Sequence, residues 1–197
     1  MDLVLASGNA GKLAELRALL DGSRFNLRAQ SEFGVADVDE TGLTFIENAL
    51  LKARHAALAT GLPALADDSG LCVDALDGAP GLYSARYGGT HGDAGRNIAR
   101  LLRELDGVAD EARGASFHCA IVVLRRADDP QPIIAEGQWR GRILHAPRGA
   151  GGFGYDPVFL DPGSGLTAAE LPAALKNTIS HRGRALAVLR ERLAELA

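Results

Sequence analysis

Residues 3–20 read LVLASGNAGKLAELRALL, and this stretch indicates the fold class. Its first four residues, Leu3 to Ala6, are apolar and form a run of the length expected for a buried strand. Residues 7–12 contain two glycines and predict a turn, and leucines then recur at helical spacing through residues 13–20. A strand that passes through a glycine-containing turn into an amphipathic helix predicts an α/β protein.

The rest of the chain continues to alternate between strand and helix patterns. A capping box at Thr44 and Glu47 predicts a helix that ends near Thr60, and Asp93 predicts the cap of another helix. Strands are predicted at residues 26–30, 63–66, 71–76, 117–124 and 133–144, a short helix from residue 167, and a final helix that carries Leu186, Leu189, Leu193 and Leu196. With no repeat, linker or low-complexity tract, residues 1–197 are expected to form a single domain on a mixed sheet.

The composition is that of an ordinary globular protein. The chain has 197 residues, of which 47% are hydrophobic, and a formal net charge of −4 at pH 7. Binding to nucleic acid depends on a basic face that replaces counterions along the phosphates, so no nucleic-acid partner is expected. No apolar run approaches about 18 residues, and the N-terminus lacks the basic segment of a secretory signal. We therefore expect no membrane partner and a cytoplasmic location.

The turn after the first strand is the first candidate binding segment. It consists of Ser7, Gly8, Asn9, Ala10, Gly11 and Lys12. Glycines allow backbone N–H groups to approach an anion, and the N-terminus of the following helix favours negative charge. The segment is not a Walker A loop, because only two residues separate Gly8 from Gly11 and Leu13 follows the lysine. A phosphate cradle and a plain strand-to-helix turn both remain open for this segment alone.

Lysine is scarce in this chain. Only Lys12, Lys52 and Lys176 occur, beside 18 arginines. An ammonium is a compact point charge that a planar guanidinium does not readily replace, so the three positions are candidates for binding roles, with chance retention as the alternative. Lys52 falls one helical turn after Asn48, so both side chains can project from one face of the helix. A solvated helix cation is the alternative for Lys52.

Acidic residues form a second candidate set. Asp67 and Asp68 follow an apolar approach at a predicted strand end, and Asp39 and Glu40 lie in an upstream loop. Carboxylate oxygens can hold Mg²⁺ beside substrate phosphates, and one carboxylate can act as the base for an attacking water. Asp39 can equally be a solvated loop acid, and Glu47 can simply complete its capping box.

Two further segments carry aromatic and basic groups. Residues 151–157, GGFGYDP, place aromatic rings between glycines, where a ring face could meet a nucleobase. A turn with core aromatics would look the same. Residues 180–182, Ser-His-Arg, open the last predicted helix, where donors can meet a phosphate or a base carbonyl. For the histidine, a neighbour of the helix cap is the alternative.

Six segments, in sequence order and over nearly the whole chain, together resemble the inosine triphosphate pyrophosphatase family. They are SGNAGK from Ser7, TGLTFIENALLKAR from Thr41, ADDSGL from Ala66, GAPGLYSARYGG from Gly78, GGFGYDPVF from Gly151 and SHRGRAL from Ser180. The resemblance implies an α/β fold with a long curved mixed sheet, flanking helices and two lobes around a central cleft. It also implies a homodimer that hydrolyses aberrant purine nucleoside triphosphates (ITP, dITP and XTP) to the monophosphate and pyrophosphate with Mg²⁺.

The resemblance also implies roles for individual positions. Asp68 is implied to be the general base, with Glu40 and Asp68 near the metal and Ser69 beside the substrate. The segment from Ser7 to Lys12 is implied to hold the triphosphate together with Lys52. The positions implied to contact the base and nucleoside are Phe153, Gly154, Tyr155, Asp156, Lys176, His181 and Arg182.

Of these, His181 and Arg182 are implied to read the 6-keto edge of the purine. Hydrogen-bond donors there favour an O6 acceptor, whereas the amino group of adenine would leave two donors facing each other. The same donors do not separate guanine, which also carries O6.

Two rival interpretations are disfavoured. The related Maf-type nucleotide pyrophosphatases have a Ser-Pro-Arg-Arg type turn after the first strand, where this chain has Asn9 to Lys12. A non-catalytic nucleotide sensor has no need of a base, which the Asp67-Asp68 pair with Glu40 can supply.

Overall fold

The computed structural model describes residues 1–7, 13, 16, 17, 20, 22 and 24–194, apart from the side chain of residue 194. Gly8 to Lys12, predicted as a turn, lie outside the described residues, as does much of the helix predicted for residues 13–20. Leu16 and Leu20 are described and are buried, as the apolar side of that predicted helix requires.

A six-stranded sheet runs through the described part of the chain in the order β2-β1-β3-β4-β5-β6. The strands are β1 Asp2–Leu5, β2 Asn26–Ala29, β3 Ala64–Val73, β4 Gly114–Leu124, β5 Ile133–Ile143 and β6 Phe159–Leu160. Strand β1 pairs parallel with both β2 and β3, whereas β5 and β6 are antiparallel. The predicted mixed sheet is therefore confirmed, including the neighbouring positions of β4 and β5.

The α-helices of the described ranges are α1 Phe45–Thr60, α2 Ala94–Glu104, α3 Ala173–Ile179 and α4 His181–Ala194. Helix α1 begins and ends where the local sequence predicts. The Thr44 hydroxyl accepts the Glu47 N–H at 3.1 Å, and Gly61 closes the helix at φ +69°, a left-handed conformation that suits a residue without a side chain. Asp93 likewise caps α2 by accepting the Arg96 N–H at 3.0 Å.

Two predicted boundaries were wrong. Strand β3 was expected to break at residues 67–70, yet it continues without interruption from Ala64 to Val73, so the acidic pair lies within a strand. The short helix expected from Thr167 begins instead at Ala173, after Pro172 at its N-cap position. In the second case the proline fixes a backbone angle suited to the start of a helix.

The chain forms two compact units. Unit 1 consists of residues 1–68, 120–136 and 185–197, and unit 2 of residues 69–119 and 137–184. Strands β3, β4 and β5 contribute residues to both. The expectation of a single domain over residues 1–197 stays a prediction.

Small side chains dominate the core of unit 1. Four alanines of α1 (Ala49, Ala53, Ala56 and Ala57) are buried among apolar residues of the strands, including Val4, Ala64 and Val122. An alanine face lets the helix backbone approach the sheet closely. Side chains at the edge of that face can therefore reach strand residues.

Aromatic rings dominate the core of unit 2. Phe117 and Trp139 pack against Phe159, with ring centroids 4.6 and 4.9 Å from it. Arg113 is almost completely buried in the same unit and donates to the carbonyl oxygens of Leu105, Ile143 and Leu144 at 2.8–3.0 Å. Burial lowers the pKa of its guanidinium. Because a buried guanidinium needs acceptors, these three carbonyls explain how Arg113 is tolerated there.

The part of the chain that the structure describes contains no helix of sufficient length and apolar character to cross a membrane.

Asp129 stabilises the turn between β4 and β5 and predicts a pH dependence of stability. Its buried carboxylate accepts from the Arg125 side chain at 2.7 and 2.8 Å and from the Arg125 and Gln131 N–H groups at 3.0 Å. These bonds, the Arg125 side chain first, hold the pKa of Asp129 well below its ordinary value. A depressed folded-state pKa gives stability that is present above the unfolded value, about 3.9, and is lost as pH falls below it. We expect the urea midpoint of the wild type to fall more steeply below pH 4 than that of Asp129→Asn. Parallel pH profiles would contradict this assignment.

Candidate active site

Helix α1 presents two polar side chains beside its alanine face. Asn48 and Lys52 are four residues apart and so lie one above the other on the helix. The close packing of the alanines against the sheet brings both side chains to Asp68 of β3. The predicted common face of Asn48 and Lys52 is therefore confirmed within unit 1.

Lys52 joins two carboxylates. Its ammonium lies 2.7 Å from Glu40 Oε1 and 3.4 Å from Asp68 Oδ1, and its side chain is only 15% exposed. Burial lowers the pKa of Lys52, but the charge of Asp68 and the hydrogen bond to Glu40 outweigh burial and raise it above the ordinary value. Lys52 is therefore a fixed cation at neutral pH and not the solvated helix cation of the alternative interpretation.

The second oxygen of Asp68 contacts a different group. Asn48 Nδ2 donates to Asp68 Oδ2 at 3.2 Å, while Asn48 Oδ1 accepts the Gly42 N–H at 2.8 Å. Asn48 and Asp68 are both buried. The carboxylate of Asp68 is thus oriented from two sides by residues of one helix.

The neighbouring acids fall into different environments. Glu47 accepts the Leu43 N–H at 2.7 Å and the Thr44 hydroxyl at 3.1 Å, so its carboxylate serves the start of the helix. Asp39 is exposed in the loop. Asp67 is buried and adjoins Asp68 in β3, and its charge also helps to raise the pKa of Lys52. Glu40 and Asp68 form ion pairs with the Lys52 ammonium.

Ser7 and Ser69 are two further described positions to which the resemblance assigns a contact with the substrate. Ala6 N–H donates to Leu65 O at 2.8 Å, so the chain reaches Ser7 beside the part of β3 that carries the acidic pair. Ser69 follows Asp68 directly and is partly exposed. The other phosphate-turn residues predicted from sequence, Gly8 to Lys12, lie outside the described part of the chain.

The donor set around Lys52 fits the magnesium that the resemblance implies. Mg²⁺ usually takes one or two protein carboxylates together with waters and substrate phosphate oxygens. Glu40 and Asp68 supply two such carboxylates, and both form ion pairs with the Lys52 ammonium. Within the described ranges, no group of three or more His, Cys, Asp or Glu residues could hold a metal by itself. Two carboxylates suit a metal whose other ligands are waters and substrate phosphate oxygens.

A second cluster of predicted residues lies in unit 2. Asp156 is buried, and its Oδ2 accepts the Phe153 N–H at 2.7 Å and the Lys176 ammonium at 2.5 Å. Gly152, at φ +72°, passes so close that a Cβ there would lie 2.0 Å from Asp156 Oδ2. Asp156 thus fixes both the loop that carries Phe153 and the position of Lys176.

The ring of Phe153 is the accessible aromatic surface of this cluster. It is 58% exposed, with Lys176 Nζ 5.1 Å and Arg182 Cζ 5.7 Å from its centroid. Cations near a ring face are attracted to its electrons. An exposed aromatic face beside two cations can stack against a base whose edge carries acceptors.

Tyr155 lies in the same loop but points into the core of unit 2. It is buried, and its hydroxyl donates to the Ser84 carbonyl at 2.9 Å. Burial, and then the nearby Tyr87, raise the pKa of Tyr155. Ser84 in turn accepts the Leu71 N–H and donates to the Gly81 carbonyl, at 2.9 and 2.6 Å. Tyr155 therefore anchors the aromatic loop to unit 2.

His181 and Arg182 begin helix α4 and are both buried. The His181 ring stacks on Phe117, with centroids 4.8 Å apart and planes at 14°. Ser180 Oγ accepts the Gly183 N–H at 3.2 Å, which satisfies one donor of the first turn. A Cβ at Gly183 would lie 1.9 Å from the Asn177 carbonyl, so a glycine permits the tight junction between α3 and α4.

Two contributors to these clusters, Ser84 and Phe117, were not singled out as candidate residues in the sequence. Asn48 was placed beside Lys52 by its helical spacing, but it was given no role at the site. Ser84 and Phe117 act through partners distant in the chain, for which no local pattern exists.

Comparisons with known proteins agree with the resemblance found in the sequence. The profile of the Ham1 family matches residues 3–192. A dITP/XTP pyrophosphatase of Xanthomonas oryzae pv. oryzae (strain KACC10331 / KXO85) is 65% identical over 195 residues, which cover 99% of this chain and 98% of the relative. One of Yersinia pestis is 57% identical over 191 residues, covering 97% of each.

Solved structures show the same fold. A HAM1 protein from Coxiella burnetii matches with a TM-score of 0.95 and 50% identity, covering 99% of both chains. A nucleoside-triphosphatase / dITP/XTP pyrophosphatase from Mycobacterium abscessus matches with a TM-score of 0.81 and 46% identity, covering 96% of this chain and 98% of the other. The chain belongs to the Ham1 family.

Proposed function

We propose that this chain hydrolyses non-standard purine nucleoside triphosphates (dITP, ITP and XTP) to the nucleoside monophosphate and pyrophosphate, and so removes them from the nucleotide pool. The observation that carries the proposal is the Asp68 carboxylate, held between Asn48 and Lys52 with Glu40 on the same ammonium. This arrangement of Asp68 is found in a chain that is similar to proteins named dITP/XTP pyrophosphatases, and those names supply the proposed substrates.

The cluster around Lys52 serves the triphosphate. The Lys52 ammonium offsets the negative charge of the phosphates, together with Ser7 and the segment from Gly8 to Lys12. Asp68 orients a water, whose oxygen bonds to one phosphorus of the α–β bridge while the bridging oxygen leaves with the other phosphorus. Asp68 accepts the proton of that water. Ser69, the next residue of the strand, touches the substrate.

Mg²⁺ would be held by Glu40 and Asp68, and when bound it neutralises phosphate charge in the transition state. Asp68 has two oxygens with different partners, so one oxygen can face the water while the other stays with Asn48.

The cluster around Phe153 serves the nucleoside. The exposed ring stacks on the purine, and Gly154 allows the loop its turn at φ +60°. Lys176, held by Asp156, contacts the nucleotide. His181 and Arg182 donate to O6 of a keto purine. Adenine has an amino group at this position, which is a donor and cannot accept these hydrogen bonds. Tyr155 contributes by fixing the loop through the hydrogen bond from its hydroxyl to the Ser84 carbonyl.

The proposal extends to the setting of the enzyme. We propose a homodimer in the cytoplasm, which acts on free nucleotides and needs neither nucleic acid nor a membrane. The net charge of −4 supports the proposal that no nucleic acid is bound.

A panel of nucleoside triphosphates tests the proposed function. With Mg²⁺ present, we expect pyrophosphate and no orthophosphate from dITP, ITP and XTP, with kcat/KM for ATP lower by about 10²-fold, near the upper end of the cost of about 1–3 kcal/mol for leaving a buried donor unpaired. Equal rates on ATP and ITP would contradict the keto-purine assignment. Binding of ITP without any pyrophosphate would instead indicate a nucleotide sensor.

A further inference from the structure

Asn48 is a buried polar side chain whose two ends contact different parts of unit 1. It is 1% exposed, accepts from the loop at Gly42 and donates to strand β3 at Asp68. We infer that Asn48 is a positioning residue for the hydrolysis reaction, which fixes the direction of the Asp68 carboxylate relative to Lys52 and Glu40. This inference rests on the proposed function.

The chemistry of the Gly42 contact determines which way the amide of Asn48 faces. A backbone N–H can only donate, so the group opposite Gly42 N must be the amide oxygen. The NH₂ of Asn48 then necessarily faces Asp68 Oδ2, 3.2 Å away. Since a carboxylate oxygen accepts, the two contacts agree and orient the amide in one way.

The oriented amide fixes Asp68 in turn. The terminal torsion of an aspartate is broad, so an isolated carboxylate samples many orientations. Here Oδ2 is held by Asn48 and Oδ1 lies 3.4 Å from Lys52 Nζ. Each oxygen therefore has a separate partner, and rotation of the carboxylate would break both contacts.

Asn48 also ties the loop of Glu40 to the same helix. A Cβ at Gly42 would lie 2.7 Å from Asn48 Oδ1, so the loop can approach this closely only through a glycine. Glu40 lies two residues before Gly42 and contacts Lys52 at 2.7 Å. One amide thus links the loop of Glu40 with Asp68, the two acids proposed to face the phosphates.

Two substitutions separate positioning from mere support of the fold. Asn48→Ala removes both contacts, whereas Asn48→Asp keeps an oxygen for Gly42 but presents a second oxygen to Asp68. Thr44→Ala is the matched control, because it weakens the start of the same helix without touching Asp68. All variants are made in the full chain, and their unfolding midpoints in urea are measured first.

We expect kcat for dITP to fall about 10- to 100-fold in both Asn48 variants, the usual cost of losing a partner that orients a ligating group. KM is expected to stay within about threefold, because Asn48 does not meet the substrate. Thr44→Ala is expected to lower the unfolding midpoint and to keep the kcat of the wild type. An Asn48→Ala enzyme with the kcat of Thr44→Ala, or a fully active Asn48→Asp enzyme, would overturn the inference.

A readout without turnover separates this inference from the proposed function. Unfolding midpoints of Asn48→Ala, Asp68→Ala and the double variant form a cycle that measures their pairing. We expect the double variant to lose less stability than the two single losses added together. Simple addition would overturn the pairing even in an active enzyme. If the wild type fails to hydrolyse dITP, the proposed function fails while the cycle still reports on Asn48 and Asp68.

Discussion

Replacing Asp68 by asparagine is expected to lower kcat for dITP by about 10²- to 10⁴-fold, the range attributed to a positioned general base. The substitution keeps the shape of the side chain and an oxygen that can accept from Asn48 or face Lys52. It removes the capacity to take a proton from water. It also removes one negative charge near the phosphates, which opposes the loss of a carboxylate ligand for Mg²⁺, so binding of dITP is expected to remain measurable.

Two measurements check this prediction: pyrophosphate release from dITP under steady-state conditions, and calorimetric binding of dITP to the inactive variant. Asp106→Asn is a suitable control, because Asp106 is an exposed acid after helix α2. Full turnover by Asp68→Asn would remove Asp68 from the mechanism. Loss of both binding and turnover would assign Asp68 to substrate binding.

Elements with local signals could be predicted from the sequence alone. Helix α1 is the clearest case, because its cap at Thr44 and its left-handed end at Gly61 are both set by neighbouring residues. The same holds for the cap of α2 at Asp93. Such contacts span three or four residues, so a pattern read along the chain contains them.

Strand β3 shows where local patterns fail. Two adjacent acids and a glycine disfavour a strand, and the prediction therefore broke it at residues 67–70. In the structure β3 lies between β1 and β4 in the sheet. Pairing on both sides, and the contacts of Asp68 with Asn48 and Lys52, outweigh the unfavourable propensity of the acidic pair.

The candidate site was predictable as a set of residue types but not as a geometry. Scarcity drew attention to Lys52 and Lys176, and each contacts a buried or half-buried carboxylate. That Tyr155 points inward depends on a bond to Ser84, 71 residues earlier in the chain. A local pattern carries no information about such a partner, so the inward direction of the Tyr155 side chain could not be predicted from the sequence.

The second large effect is expected from Lys52. Lys52→Met should lower kcat/KM for dITP by about 10²- to 10³-fold, comparable with the loss of one preorganised group that stabilises transition-state charge. Stability should fall by about 1–3 kcal/mol, because Asp68 and Glu40 lose their shared cation. Arg54→Met is the matched control, since it removes an exposed cation two residues away on the same helix.

The pH dependence of the Lys52 contribution has a definite sign. The pKa of Lys52 is raised above its ordinary value, so its contribution to stability is fully present below that value and is lost only as pH rises through the folded-state pKa. The difference in unfolding free energy between wild type and Lys52→Met is therefore expected to stay constant from about pH 6 to 9 and to shrink above about pH 10.5. A difference that vanishes near pH 7 would mean that Lys52 is neutral in the folded protein.

The Lys52→Arg variant separates the effect of charge from the effect of shape. A planar guanidinium keeps the positive charge but cannot reproduce a compact ammonium between two carboxylates. We therefore expect Lys52→Arg to retain part of the stability that Lys52→Met loses and to have a reduced kcat/KM.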